Sequence, residues 1–163
     1  MLLLTFTVSD EPYGVDVADV IEVVPRVELR AVPHAPGFVA GLLSYRGKVV
    51  PVVDLGLLLG SSPSANRLST RIILVKIAGA GQNRGEEDPQ LAGLIAEHVI
   101  DLTTIDPAQV ERAPVQLPRA PYLARVARLD QSFVPMIAVD RLASIIRPDL
   151  SIEAASSIPD DIN

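Results

Sequence analysis

Glu22 is the only charge in the apolar run Val20 to Val24, so its carboxylate needs a chemical explanation. A carboxylate there either points to solvent on the alternating face or, if buried, needs a partner, because unpaired burial is costly. Arg46 is the best candidate partner: its guanidinium offers a planar fork to a carboxylate. The pair would pin a turn against a strand and present a fixed surface, although Arg46 can also be read as an ordinary exposed turn arginine. Catalytic chemistry is poorly provided for. The two histidines, His34 and His98, sit beside no serine-nucleophile signature, and cysteine is absent. The paired acids Glu86/Glu87 and Asp160/Asp161 lie in polar stretches where carboxylates only solvate the chain. The glycines of Ala78 to Gln90 lack the ending of a phosphate loop. We therefore expect no catalytic residue, no metal site and no cofactor.

The elements that position Glu22 and Arg46 occur twice. Gly14 to Val23, GVDVADVIEV, recurs without a gap as Gly93 to Leu102, GLIAEHVIDL. Further along, Pro33, Ala35 and Pro36 match Pro118, Ala120 and Pro121, and Val50 to Val53 match Val134 to Ile137. Two lobes in series follow. Where the copies differ, function has room to enter: Tyr45, Arg46, Gly47 and Lys48 stand where the second copy has Leu129, Asp130, Gln131 and Ser132. The turn has changed charge sign.

The interior must be filled by Val, Ile, Leu and Ala, because tryptophan is absent and only three Tyr and three Phe are present. That palette suits sheets. A formal charge of −6 opposes the counterion release that drives nucleic-acid binding, so nucleic acid is an unfavoured partner. The opening MLLLTFTV reads as a first strand rather than a signal peptide, and no apolar run reaches membrane-spanning length. A cytoplasmic protein without membrane insertion is expected.

The spacing predicts a hairpin from Leu2 to Val8 and Tyr13 to Val17, then a strand at Val20 to Val24. Pro36 suggests a helical turn over Gly37 to Leu42, followed by a tight Arg46–Gly47 connection into a strand from Lys48 to Asp54. Pro51 implies an edge or a bulge. A helical turn at Leu55 to Leu59, a polar linker at Ser61 to Ser69 and a strand at Arg71 to Ile77 come next. Ala78 to Gln90 reads as a solvated loop. Leu91 to Ala96 and Val99 to Thr103 read as two strands, and Asp106–Pro107 as the start of a short helix through Glu111. After the irregular stretch Pro114 to Pro121, Leu123 to Leu129 and Phe133 to Ala138 form a closing hairpin, and Asp140 to Arg147 a terminal helix. The expected organisation is one domain over 1–150, with lobes at about 14–60 and 71–140, and a flexible acidic tail at 151–163.

From Pro33 to Leu55, PHAPGFVAGLLSYRGKVVPVVDL, the chain resembles the CheW-like family of chemosensory adaptors; Tyr13 to Val17, Val20 to Val23 and Gly41 to Leu55 match its pattern in order. The resemblance implies an all-β fold with minor helix, built as two SH3-like five-stranded β-barrel lobes sharing a core. It also implies a non-catalytic scaffold, located in the cytoplasm at receptor arrays, that joins a chemoreceptor's cytoplasmic tip to the regulatory domain of a CheA-like histidine kinase. Positions matching receptor-associated residues are Val20, Gly41 and Arg46, with Gly93 beside them and Glu22 as the arginine's partner. Val110, Glu111, Arg112, Val115 and Gln116 match a stretch that meets the kinase. Tyr45-Arg46-Gly47, in place of the commoner Leu-Arg-Gly, together with Leu68 to Arg71, is similar to adaptors of Wsp-type surface-sensing pathways. The alternative is a small-ligand or peptide-binding β-barrel unrelated to chemosensing.

Overall fold

The structure, a computed structural model, describes residues 1–60, 62–77 and 90–146. The expected loop over 78–89 and the tail over 151–163 lie outside the described residues. The strands are β1 (Leu2–Val8), β2 (Glu11–Asp16), β3 (Val20–Pro25), β4 (Val39–Tyr45), β5 (Lys48–Asp54), β6 (Arg71–Ile77), β7 (Gln90–Thr104), β8 (Val110–Arg112), β9 (Arg125–Leu129) and β10 (Ser132–Met136). Two helices, α1 (Leu55–Leu59) and α2 (Val139–Ile146), complete the described elements.

One lobe carries β4-β5-β7-β6-β3 and the other β7-β1-β2-β10-β9-β8, with the long β7 serving both. Neither lobe closes into a full barrel. The strand ladders reproduce the duplication residue by residue. Gly93 lies opposite Leu74 and beside Val52, whereas Gly14 lies opposite Thr5 and beside Met136. The neighbours repeat too: a Cβ on Gly93 would meet Ile72 at 2.9 Å, and one on Gly14 would meet Leu3 at 2.9 Å. Both glycines exist to let a central-strand side chain cross their backbone. The pairing also exchanges material between the copies, since β5 of the first copy runs parallel to β7 of the second, and β10 of the second parallel to β2 of the first. Ladders therefore cross the contiguous division at 14–60 and 71–140.

The central strands β1 and β6 bury both faces. Leu3 joins Ile105, Ala127 and Met136 inside one lobe, while Ile72 and Leu74 join Val50, Val52 and Ile95 inside the other. Their opposite faces, Leu4, Phe6 and Val8 with Ile73, Val75 and Ile77, meet in a third cluster that is the core shared by the lobes. Strands buried on both sides read as continuous apolar runs, as LLL and IILV do here. Leu142 and Val139 of α2 cap this shared core.

Three local expectations are corrected. The stretch Gly37 to Leu42 is not helical: Val39 N–H closes a turn onto the Pro36 carbonyl at 2.9 Å and β4 begins there. Gly41, at φ +152°, is incompatible with a helix. Leu91–Ala96 and Val99–Thr103 are one strand. In the first copy the Asp16 carboxylate accepts from Ala18 N–H at 2.9 Å and coils Val17–Asp19 into a 3-10 turn. The matching position in the second copy is Ile95, which has no capping oxygen, so β7 runs on through a bulge at His98, φ +49°. The helix expected from Asp106 to Glu111 is a 3-10 turn over Pro107–Gln109 with a complete capping box, because Val110–Arg112 pair with β9 instead. The polar linker is anchored to the core. Buried Asp54 accepts from Gly56 N–H at 2.9 Å, from Ser64 N–H at 3.1 Å and from Ser64 Oγ at 2.7 Å.

Candidate partner-binding site

The β4–β5 hairpin turns through Arg46, φ +48°, and Gly47, φ +78°, the two-residue geometry whose twist matches the strands. A non-glycine residue in the left-handed region costs about 1 kcal/mol. Asp130, the counterpart of Arg46, has the same φ of +48°, so the two turns share this backbone conformation and differ in charge.

Glu22, on β3, is brought beneath this hairpin. The Tyr45 hydroxyl donates to Glu22 Oε2, and Arg46 Nη2 lies 3.4 Å from the same oxygen. Arg46 also stacks on the Tyr45 ring, its Cζ 5.1 Å from the centroid. The Glu22 side chain is 40% exposed and that of Arg46 75%, so the ion pair is screened and loosely held. Glu22 is thus half-buried and partnered first by a phenol. That hydrogen bond, followed by desolvation, holds the Tyr45 phenol above its usual pKa against the opposing pull of the Arg46 guanidinium. The result is a carboxylate shared by two donors, with a guanidinium fork still open to solvent. The residue that sequence reasoning underused is Tyr45, visible there only as a departure from Leu before Arg-Gly.

The other residues matched to receptor contact are less exposed than Arg46. Val20 is half-buried, closes the 3-10 turn through its N–H and packs against the shared core. Gly41 and Gly93 are buried. A Cβ on Gly41 would lie 2.7 Å from the Arg30 carbonyl oxygen, so this glycine lets the chain leaving β3 bridge back to β4. That bridge consists of Arg30 N–H to Leu42 O at 3.0 Å and Leu42 N–H to Arg30 O at 2.8 Å. Gly41 and Gly93 shape the lobe that displays Arg46 and offer no side chain to a partner.

The second expected surface is split by strand alternation. Val110 turns toward the lobe interior, whereas Glu111 is exposed and paired with Arg128, Oε1 to Nη2 at 3.1 Å. Arg128 in turn covers the exposed Phe133 ring at 5.3 Å. Arg112, Val115 and Gln116 line an open hollow of about 430 Å³ with Leu117, Ala124 and Arg141. Among the described residues no group of acids and histidines is placed to hold a metal ion. His98 Nδ1 is 3.3 Å from Ser69 Oγ, a contact that fastens the β7 bulge to the preceding loop.

Residues 2–147 match the CheW-like domain family, and both lobes with their exchanged strands fall inside that span. The chain belongs to the CheW-like domain family. It is 32% identical to the scaffolding protein TtCheW from Thermoanaerobacter tengcongensis, whose crystal structure superposes with a TM-score of 0.70 over 83% of this chain and 82% of that one. It is 24% identical over 144 residues to the chemotaxis protein CheW of Klebsiella aerogenes, covering 86% of this chain and 80% of that protein. A probable chemotaxis protein CheW of Rhizobium etli is 26% identical over 112 residues, 69% of this chain. The chain spans just under two thirds of that relative, 66% of its length. The two SH3-like lobes expected from the sequence are the architecture observed. No helix among the described residues is long and apolar enough to cross a membrane.

Proposed function

We propose that this protein is a non-catalytic adaptor that couples a chemoreceptor's cytoplasmic tip to a CheA-like histidine kinase at a cytoplasmic receptor array. The observation that carries the reading is the family match across both lobes, joined to an exposed Arg46 set against Tyr45 and Glu22 at the β4–β5 hairpin. Arg46 presents hydrogen-bond donors to the receptor tip, Glu22 and Tyr45 orient it, Val20 supports β3, and Gly41 and Gly93 hold the lobe's shape. The kinase's regulatory domain meets the other lobe at Glu111, Arg112, Val115 and Gln116, with Val110 anchoring β8. The Tyr45-Arg46-Gly47 turn supports placing it in a Wsp-type branch, where the phenol gives Glu22 a second donor.

The test is reconstitution with the receptor tip and kinase regulatory domain encoded in the same genome. Purified protein should bind both at once and alter kinase autophosphorylation without consuming a substrate. Arg46→Glu should impair the receptor arm and Arg112→Glu the kinase arm. Failure to bind either partner at micromolar concentration and moderate salt refutes the adaptor reading.

A further inference from the structure

A second built surface lies at the far end of β3 from Val20, and nothing in the adaptor reading uses it. Three arginines from two distant stretches meet there. Arg26 follows β3, Arg67 comes from the 62–70 loop, and Arg71 opens β6; together with Pro25, Asn66 and Leu68 they line a hollow of about 440 Å³. A neighbouring hollow of about 420 Å³ shares Arg26 and Asn66, so the two form one groove.

The groove is preorganised. Asp54 grips Ser64, the Glu97 carboxylate accepts from Ala65 N–H, and Thr70 Oγ1 donates to the Ala65 carbonyl while accepting from Arg67 N–H at 3.2 Å. Arg71 Nη1 donates to the carbonyls of Leu68 and Thr70, which fixes the guanidinium at the rim. This anchored loop holds Leu68 out at 94% exposure. No carboxylate lines the 440 Å³ hollow, the lining of the adjoining hollow includes the exposed Glu28, and among the described residues no ion pair engages Arg26 or Arg67. In a chain of net charge −6 this is a local island of positive charge. Guanidinium forks suit carboxylates, and an exposed leucine between them suits an apolar side chain.

We propose that the groove between the β3 exit and the 62–70 loop docks an acidic peptide segment of a partner protein, with carboxylates on Arg26 and Arg67 and an apolar side chain against Leu68. The chain's overall negative charge disfavours such a segment over most of its surface, so charge favours docking at this face.

The probe is a random linear peptide library displayed on phage, selected on the full chain and counter-selected on the Arg26→Glu, Arg67→Glu double variant. Both substitutions lie on accessible side chains, and unchanged circular dichroism and thermal unfolding would certify the fold. Peptides retained by the parent and lost on the variant should carry Asp or Glu around an apolar residue. Measured singly by fluorescence anisotropy, they should weaken roughly tenfold or more for each charge reversal and weaken again as salt rises. Leu68→Ser should also weaken them, and an Arg46→Glu variant should bind them as the parent does. The proposal is overturned if no peptide distinguishes parent from variant, or if the distinguishing peptides are not acidic. It is equally overturned if millimolar inorganic phosphate displaces them while Leu68→Ser has no effect, since the site would then hold only a free anion.

Discussion

Replacing Gly41 by alanine separates a glycine that touches a partner from one that shapes a lobe. At φ +152° the position lies in backbone space that side chains rarely enter, costing roughly 1–3 kcal/mol. The new Cβ would stand 2.7 Å from the Arg30 carbonyl oxygen and 2.9 Å from Leu29 Cβ. Backbone atoms of a paired segment cannot rotate aside, so the bridge between Arg30 and Leu42 must open. Its two hydrogen bonds are worth about 1 kcal/mol each. The sum is a loss of about 3–5 kcal/mol. At roughly 2–4 °C per kcal/mol for a chain of this size, the melting temperature should fall by about 10 °C. Thermal unfolding by circular dichroism measures the total, and hydrogen exchange at the Leu42 amide, the donor to Arg30, measures the bridge. Receptor binding should be lost in proportion and recover on cooling. A Gly41→Ala protein that melts like the parent, keeps Leu42 protected and still fails to bind would refute this reasoning and make Gly41 a direct contact.

Exchange of Glu22→Arg with Arg46→Glu should restore part of what each single change removes from receptor binding, while the stability coupling stays within about 1 kcal/mol and shrinks with salt; strict additivity in both readouts would show that the 3.4 Å approach carries no interaction. The Tyr45 phenol should titrate later than in a Glu22→Gln variant, followed by ultraviolet difference absorbance. Because the folded pKa is raised, the bond's contribution is present below the unfolded pKa near 10 and is lost as pH climbs through the folded value. Asp54→Asn should destabilise by about 3 kcal/mol, read by urea denaturation, since a buried carboxylate accepting from Gly56 and Ser64 becomes a neutral amide with misplaced donors.

The sequence alone determined the repeat, the all-β class and most strands. It did so because Gly14 and Gly93, the LLL and IILV runs and the Arg46–Gly47 turn express local requirements: a close crossing, a doubly buried strand, a left-handed turn. Glu22 and Arg46 were legible as partners because a lone charge in an apolar strand is visible without coordinates. Tertiary structure decided what depends on neighbours distant in sequence. The exchange of β5 and β10 between copies follows from ladder partners that no local window contains. Tyr45 became the first partner of Glu22 only when β3 and the β4–β5 hairpin were laid together. Likewise Arg26, Arg67 and Arg71, unremarkable one by one, became a groove only when the β3 exit and the stretch leading into β6 converged.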